Sequence, residues 1–560
     1  MKDKMLREKK EYENVRDLVE DAARLYGDRP AFSYRNKPSD AESIKKSYNT
    51  LRDDVRALST EIISRGLAGK HISVIGKLSY EWVVVYYSVL STGSVLVPLD
   101  RDWGASELSD TAKKADVACI FCEADIAEKC AEVAAFAGID APVVFGKEDS
   151  FGAWMQAGRE KFAGGDKSYF EAKIDREILA LLVFTSGTTG KGKGVMLSQK
   201  NVITDMADVI PYIDFSYKSV GVLPPHHTYG SSVTILGQTS IGCEVYISSG
   251  IRYVAKELKL EKPGHLVLVP LYLETFYRKI MAGIKDKGKE KTVKFMIGLC
   301  NFFHLGKKIR KKLFASILEN FGGNVKMIIS GGAPIAQDIM DFFTALGIDV
   351  LNGYGITECA PLITCNRNLY QKNGSVGMPI VGEQVKISDP NENGEGEICV
   401  KGPNVMLGYY KDEEATAAAF DEEGFFKTGD YGKVDEEGWL YITGRLKNLI
   451  IFSNGKNVYP EEIETEISRI PGVNEVVVYA GECKVNPEKE VIVAEIFPDI
   501  EGLKEKGIED LKAYFAEEVK KANGRMVSYK AVGSIKLRTT EFPKNTSRKI
   551  TRFAIDKSID

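Results

Sequence analysis

The sequence lacks the features of a secreted or membrane-spanning protein. Its N-terminal stretch, MKDKMLREKKEYENVRDLVEDAARLYG, is charged throughout and has no apolar core, so no secretory signal is expected. The segment that comes nearest to a membrane span, residues 82–99, has Ser, Thr and Gly at its centre, which favours a buried helix followed by a strand. We therefore predict a cytoplasmic protein without a transmembrane segment.

Cysteine and net charge are also sparse. Nine cysteines in 560 residues are too few for a disulfide framework, so reduced thiols are expected. Cys119 and Cys122 form a lone C-x-x-C pair, and without a second pair an apolar strand with small core thiols is favoured over a metal site. The 75 basic and 79 acidic residues give a net charge of −4, which argues against a nucleic-acid partner.

The length of the chain predicts at least two domains, because a single hydrophobic core stops growing well below 560 residues. Helix-like and strand-like stretches alternate from about residue 47 to 350, which predicts an α/β fold with largely parallel sheets. Turn-rich strands from about 380 to 446 predict a small antiparallel β subdomain. The remainder has the pattern of a compact α+β unit, with a helix predicted from Gly507 to Ala522. The predicted domains are residues 1–446 and 447–560.

Residues 278–312 are strongly basic and carry aromatic side chains. Their only acidic residues are Asp286 and Glu290, and Phe295, Phe302 and Phe303 lie among the lysines and arginines. Such a stretch can sit on anionic lipid, as a peripheral contact on the inner face of the membrane. The favoured interpretation is a solvated helical insertion whose aromatic side chains pack on the domain.

The stretch FTSGTTGKGKG, residues 184–194, is typical of a loop that holds phosphates. It offers hydroxyl groups, small-residue backbone amides and two lysines, which suit the β- and γ-phosphates of a nucleotide. From Gly187 it fits seven letters of the P-loop pattern, but Gly194 stands where a Ser or Thr should hold Mg²⁺. The residues that follow, 195–197, look like a strand and not like the helix of a P-loop.

The same stretch resembles the signature of the adenylate-forming (AMP-binding) superfamily, which usually reads SGTTG-x-P-K-G. Gly192 stands in place of the proline. Further stretches resemble the other motifs of that superfamily in order: LPPHHTYG (223–230), SGGAP (330–334), NGYGITE (352–358), KTGD (427–430), GRLKNLI (444–450) and FPKNTSRKITR (542–552). The resemblance covers nearly the whole chain and is most like bacterial long-chain fatty acid–CoA ligases. It implies a large N-terminal α/β domain followed by a small, mobile α+β lid.

The resemblance also implies roles for particular residues. Lys549 is the expected catalytic lysine, although Arg548 replaces the usual preceding glycine, and His227 is expected beside the substrate carboxylate. Glu358 and Thr185 are the expected Mg²⁺ ligands, and Glu358 is also an expected catalytic residue. Lys447 is the expected hinge residue. The expected ATP- and AMP-binding residues are Thr185, Ser186, Gly187, Thr188, Thr189, Gly190, Lys193, Gly332, Ala333, Pro334, Asn352, Gly353, Tyr354, Gly355, Thr357, Asp430 and Arg445.

The function that the resemblance implies is an ATP-dependent fatty acyl-CoA synthetase with ATP, Mg²⁺ and coenzyme A. A fatty acid is favoured because residues 226–240 contain no acidic side chain that could pair with an amino group. No carrier domain is expected after the lysine motif. An acyl-carrier-protein ligase and an aryl-CoA ligase remain as rivals. From another class, a P-loop-like NTPase and a nucleotide-binding scaffold stay open.

Overall fold

The computed structural model describes residues 4–185, 192–451, 457–483, 491–544 and 550–559, and they form two compact units. The N-terminal unit comprises residues 1–384 and 400–426, and the C-terminal unit comprises residues 385–399 and 427–560. The chain therefore leaves the N-terminal unit once and returns to it. The predicted boundary between residues 1–446 and 447–560 is the position of a hinge. A division of the chain into compact units does not locate a hinge, so these two domains stay a prediction.

The secondary structure alternates between strands and helices through most of the N-terminal unit. The strands are β1 (Pro30–Tyr34), β2 (Ile44–Ser47), β3 (His71–Ile75), β4 (Val95–Leu99), β5 (Val117–Cys122), β6 (Val143–Val144), β7 (Leu179–Thr185), β8 (Lys193–Ser198), β9 (Lys218–Gly221), β10 (Glu244–Ile247), β11 (His265–Leu268), β12 (Met327–Ser330), β13 (Asp349–Gly355), β14 (Leu362–Cys365), β15 (Met378–Pro379), β16 (Gln384–Ser388), β17 (Gly396–Lys401), β18 (Gly408–Tyr409), β19 (Phe426–Val434), β20 (Leu440–Arg445), β21 (Ile450–Ile451), β22 (Asn457–Val458), β23 (Val473–Cys483), β24 (Val491–Pro498), β25 (Ser534–Leu537) and β26 (Ser558–Ile559).

The helices follow the same order along the chain. They are α1 (Val15–Tyr26), α2 (Tyr48–Ser64), α3 (Tyr80–Leu90), α4 (Ala105–Lys114), α5 (Ala127–Ala137), α6 (Ala153–Ala163), α7 (Ser168–Glu171), α8 (Gln199–Val209), α9 (Gln238–Ser240), α10 (Val254–Glu261), α11 (Pro270–Asp286), α12 (Glu290–Phe302), α13 (Lys307–Leu313), α14 (Ala315–Leu318), α15 (Gln337–Ala345), α16 (Glu413–Ala419), α17 (Pro460–Ser468), α18 (Ile500–Lys504) and α19 (Leu511–Asn523).

A seven-stranded sheet forms the first layer of the N-terminal unit, with the strand order β18-β8-β7-β4-β3-β5-β6. Strands β7, β4, β3, β5 and β6 are parallel, whereas β8 runs antiparallel to β7 and β18 antiparallel to β8. The predicted α/β class is confirmed. The apolar segment 82–99 forms α3 and β4, both deeply buried, with Ser79 capping the start of the helix.

Two further sheets complete the N-terminal unit. One has the order β2-β1-β10-β9, and the other has the order β11-β12-β13-β14-β15. In the second of these, β11, β12 and β13 are parallel, so their carboxyl ends meet at one edge. Polar loops at such an edge are the usual place for ligands in open α/β sheets.

The C-terminal unit combines the sheet β16-β17-β19-β20, in which β19 and β20 are antiparallel, with the sheet β25-β24-β23-β26. Helices α17 and α19 pack on β23 and β24 around Ile463, Val478 and Phe515. Pro460 is the first residue of α17, where its missing N–H costs no helical hydrogen bond. Asp510 caps α19, so this helix begins at Leu511 and not at the predicted residue 507.

The sequence analysis predicted neither a membrane span nor a metal site at the C-x-x-C pair. Among the described residues, no helix is long and apolar enough to cross a membrane. Cys119 and Cys122 lie on β5, where Cys122 is fully buried and Cys119 half-buried. No cluster of three or more His, Cys, Asp and Glu side chains that could hold a metal ion occurs in the described part of the chain.

Candidate active site

The phosphate-loop stretch connects two antiparallel strands. Thr185 ends β7 and lies opposite Lys193, which begins β8. Ser186, Gly187, Thr188, Thr189 and Gly190 lie outside the described residues. Because a P-loop leads from a strand directly into a helix, the strand β8 argues against a P-loop-like NTPase.

Glu358 is held by the segment that carries β18. Its carboxylate oxygen Oε1 accepts a hydrogen bond of 3.0 Å from the Tyr409 hydroxyl, and its carbonyl accepts one of 2.8 Å from the Met406 amide. Burial and the neighbouring Glu358 carboxylate raise the pKa of Tyr409, which keeps the phenol protonated as a donor. Tyr409 was not among the predicted residues.

Lys193 belongs to the same cluster as Glu358. Its ammonium Nζ lies 4.4 Å from the centroid of the Tyr409 ring, a cation–π distance. Lys193, Tyr409 and Glu358 thus form a continuous chain from the phosphate-loop strand to a carboxylate. A cation beside a carboxylate suits a nucleotide phosphate and the Mg²⁺ that accompanies it.

The two predicted adenine motifs meet at the carboxyl ends of β12 and β13. Ser330 pairs with Asn352, so Gly332, Ala333 and Pro334 follow one strand where the other carries Asn352 and its neighbours. Gly353, Tyr354 and Gly355 complete β13, with Tyr354 buried, and Thr357 opens the short 3₁₀ turn Thr357–Cys359 that contains Glu358.

Tyr229 packs against the first of these motifs. A Cβ atom at Gly331 would lie 3.3 Å from Tyr229 Cζ, and Gly332 has a positive φ of 84°, which favours glycine. The Tyr229 hydroxyl donates to the carbonyl oxygens of Leu268 and Ile329 at 3.2 and 3.3 Å. Tyr229 therefore fixes the carboxyl ends of β11 and β12, a role that the sequence did not predict.

His226 and His227 lie just before the π-helical segment Tyr229–Gly237, and they have a buried acidic neighbour. The His226 Nε2 atom lies 3.2 Å from Asp100 Oδ2, and the His226 and His227 rings are 4.2 Å apart. His226 is 9% exposed and Asp100 is 2% exposed. Asp100 directly follows β4, so its position at the end of a parallel strand was a signal in the sequence. His227 was the predicted residue, and its ring is tilted by 51° relative to that of His226.

Helix α8 supports the loops around Glu358. Asp205 Oδ1 accepts hydrogen bonds from the Leu362 amide at 3.2 Å and from Asn404 Nδ2 at 3.3 Å. One turn earlier, Asn201 Nδ2 donates to the carbonyl oxygens of Pro403 and Val405 at 2.7 and 3.0 Å. This network attaches Leu362, which follows Glu358 in the chain, and residues 403–405, which precede the Met406 amide that binds the Glu358 carbonyl, to one helix.

The buried carboxyl group of Glu383 should make the stability of the protein depend on pH. Burial raises the pKa of Glu383 from 4.5 to about 7. The folded protein therefore keeps a proton that the unfolded chain loses above pH 4.5, and this contribution to stability is lost as the pH rises to about 7. Glu383→Gln removes the ionisation, so we expect it to raise the melting temperature relative to wild type more at pH 7.5 than at pH 5.

The gain at pH 7.5 should correspond to on the order of 1–3 kcal/mol, and scanning calorimetry at both pH values measures it. Burial also raises the pKa of Glu464 to about 7, so the stability of every variant depends on pH in this range. The difference in melting temperature between variant and wild type at each pH removes this shared contribution. Exposed Glu132→Gln is the matched control and should be equal at both pH values. An equal shift for Glu383→Gln at both pH values would contradict the prediction.

In the C-terminal unit, Asp430 and Arg445 are paired across β19 and β20. The Arg445 Nε atom lies 3.0 Å from Asp430 Oδ1, with the aspartate side chain 6% exposed and the arginine side chain 59% exposed. Thr428 Oγ1 accepts a 3.0 Å hydrogen bond from the Asp430 amide. A carboxylate oriented in this way can accept hydrogen bonds from a vicinal diol such as ribose.

The two predicted lysines of this unit differ in what the structure describes. Lys447 is exposed in the short 3₁₀ turn Leu446–Asn448, while Lys549 lies outside the described residues. Lys544, in the same motif as Lys549, forms ion pairs with Glu475 and Glu541. Its charge is therefore already matched by two carboxylates.

Comparisons with known proteins agree on one family. A family model described as AMP-binding enzyme matches residues 19–410. Fatty acyl-CoA synthetase B of Dictyostelium discoideum is 29% identical over 537 residues, which cover 87% of this chain and 77% of that protein. Long-chain-fatty-acid–CoA ligase FadD15 of Mycobacterium tuberculosis is 28% identical over 458 residues, with coverages of 77% and 74%.

A similar solved structure has the same fold. The ATP-bound MatB from Rhodopseudomonas palustris superposes with a TM-score of 0.76 at 26% identity, covering 96% of this chain and 98% of that one. An anthranilate CoA ligase bound to anthranoyl-AMP reaches a TM-score of 0.78 at 17% identity, which shows the fold alone.

Proposed function

The chain belongs to the AMP-binding enzyme family, and we propose that it is an ATP-dependent fatty acyl-CoA synthetase. A carboxylate oxygen of the fatty acid attacks the α-phosphorus of ATP and pyrophosphate leaves, which gives an acyl-adenylate. The sulfur of coenzyme A then attacks the acyl carbonyl, loses its proton, and expels AMP. The observation that carries the proposal is the chain of contacts from Lys193 through Tyr409 to Glu358, inside a fold shared with an ATP-bound protein and with a CoA ligase.

The choice of a fatty acid as the substrate rests on the relatives. The fatty acyl-CoA synthetase and the long-chain-fatty-acid–CoA ligase named above each match more than three quarters of this chain. The acidic neighbour of His226 is Asp100, and its Oδ2 atom is already in contact with His226 Nε2 at 3.2 Å, so this carboxylate does not argue for an amino-acid substrate. We propose a medium- or long-chain acid, with an acyl-carrier-protein or aryl-CoA ligase as the closest rival.

We assign roles in the first half-reaction as follows. Lys193 and the hydroxyls of residues 185–189 bind the β- and γ-phosphates, and Glu358 with Thr185 holds Mg²⁺. Carboxylate and hydroxyl oxygens are the donors that this ion takes together with phosphate oxygens, so the residues fit it; when bound, it neutralises charge on the leaving pyrophosphate. The nucleoside is bound by residues 332–334 and 352–357 and by Asp430 with Arg445.

The remaining roles concern the transition state and the second half-reaction. Lys549 stabilises charge where the carboxylate meets the α-phosphate, because two anions must approach there. His227 orients the substrate carboxylate, and Asp100 fixes the neighbouring His226. Lys447 is the proposed hinge, consistent with its exposed position in a short turn. Because the substrate is a lipid, we include a peripheral membrane contact through residues 278–312 in the proposal.

A panel of carboxylic acids tests the proposed activity. With ATP and Mg²⁺, pyrophosphate release should depend on a fatty acid, and adding coenzyme A should yield acyl-CoA and AMP. Benzoates, amino acids and fatty acids from two to eighteen carbons, measured at equal concentration, decide between the alkyl and aryl substrates. Orthophosphate release without any carboxylate would overturn the proposal and favour an NTPase. Transfer to a carrier protein but not to coenzyme A would favour the carrier-protein ligase.

A further inference from the structure

Helix α12 has two apolar faces, of which only one is buried. Its inner face, Val293, Met296, Ile297 and Cys300, packs on the core of the N-terminal unit. On the opposite side, Phe295, Leu299 and Phe302 are 69%, 42% and 78% exposed, at the i, i+4 and i+7 positions that align on one helix face. A helix that is apolar on both sides is unusual at a water-exposed surface.

The exposed apolar surface continues beyond α12. Phe303 is 60% exposed, and its ring meets that of Phe302 edge-on at 5.1 Å. We call Phe295, Leu299, Phe302 and Phe303 the α12 outer face. The favoured interpretation that the aromatic residues pack on the domain is wrong for these three phenylalanines, although Leu305 does contact the core. Contiguous exposed apolar groups mark an interaction site.

Lysines flank the α12 outer face along the chain, and Lys291 lies one turn before Phe295 on the same side of the helix. Lys294 is paired with Glu290 at 3.3 Å and Lys307 with Asp349 at 2.6 Å, so these two charges are already balanced. Five other lysines of residues 287–312 are exposed: Lys287, Lys289, Lys291, Lys308 and Lys312. On α13, next in the chain, Ile309 and Leu313 add side chains that are 50% and 44% exposed.

We infer that the α12 outer face inserts into an anionic lipid bilayer, with the flanking lysines at the headgroups. Exposed apolar side chains flanked by exposed lysines match the two layers of such a surface, an acyl region and negatively charged headgroups. Protein interfaces are enriched in aromatic side chains but depleted in lysine, so the lysine content of this stretch favours lipid over a protein partner. The inference deepens the proposed membrane contact and rests on it, but not on catalysis.

Vesicle flotation with the full chain, without ATP or fatty acid, tests the inference. Wild type should bind vesicles of equal parts phosphatidylcholine and phosphatidylglycerol, and bind phosphatidylcholine alone much less. The combined variant F295S/F302S/F303S should weaken binding roughly 10-fold or more, because it removes the inserting side chains. F136S is the matched control, since Phe136 is 53% exposed elsewhere on the N-terminal unit.

A charge variant separates the two parts of the surface. K287E/K291E/K308E should lose binding to the mixed vesicles and should leave binding to phosphatidylcholine alone unchanged. Thermal melting followed by circular dichroism reports whether each variant is folded, independently of membranes and of catalysis. Unchanged vesicle binding by both combined variants would overturn the inference. A dimer that F295S/F302S/F303S dissociates, with no vesicle binding by wild type, would overturn it in favour of a contact between two copies.

Discussion

Replacing Lys549 with alanine is expected to slow acyl-adenylate formation by roughly 10²-fold or more, while ATP binding changes little. Bringing the fatty acid carboxylate to the α-phosphate concentrates negative charge in the transition state, and the ammonium group is proposed to offset it there. ATP alone does not create this charge, so the loss should appear in the rate and not in nucleotide affinity.

Single-turnover formation of acyl-adenylate, measured by rapid quench with saturating ATP, isolates this step. Lys544→Ala is the matched control, because Lys544 lies in the same motif but is paired with Glu475 and Glu541. We expect only a small loss for it. An unchanged single-turnover rate in Lys549→Ala, or an equal loss in both variants, would show that the role of Lys549 has been assigned wrongly.

Replacing Glu358 with glutamine is expected to lower adenylation by roughly 10²- to 10³-fold and to raise the Mg²⁺ concentration needed for half-maximal rate. Glutamine keeps the size of the side chain and its hydrogen bond from Tyr409 but removes the negative charge proposed to hold the ion. Initial rates of pyrophosphate release across a Mg²⁺ titration measure both effects.

Tyr409→Phe is the informative companion to this variant. It removes the 3.0 Å hydrogen bond to Glu358 but retains the ring under Lys193 Nζ. The carboxylate keeps its charge and loses one restraint, so we expect a loss of about 10-fold or less, with a smaller increase in the Mg²⁺ requirement. A Glu358→Gln variant with wild-type Mg²⁺ dependence would contradict the proposed metal role, whatever Tyr409→Phe does.

Much of the fold could be predicted because local signals agreed with each other. Residues 80–90 form α3 and residues 460–468 form α17, where helical spacing and a capping Ser79 or an initial Pro460 point the same way. The turn after Thr185 could be distinguished from a P-loop because residues 195–197 have the pattern of a strand, and β8 is that strand. The beginning of α19 was predicted too early because Gly507 lies in the turn after α18 with a positive φ of 76°, and the helix starts only after the capping Asp510.

The supporting residues of the site could not be predicted, because their partners are remote in the sequence. Tyr409 is 51 residues from Glu358, and Asn404 is 199 residues from Asp205. Such pairs depend on how strands are ordered in a sheet, which periodicity within one segment does not reveal. The exposure of the α12 phenylalanines could not be predicted for a similar reason, because the spacing of apolar residues does not say which of two apolar helix faces packs on the core.

The strand β18 fixes when the site can form during synthesis. It is the edge neighbour of β8, yet it lies more than 200 residues later in the chain and follows the excursion of residues 385–399 into the C-terminal unit. A nascent chain that has not reached Tyr409 therefore has the phosphate-loop strand without its outer neighbour and Glu358 without its phenolic donor. Long-range pairing of this kind closes late. A fragment truncated at residue 384 has every predicted phosphate-loop residue and still lacks the side chain that joins Lys193 to Glu358.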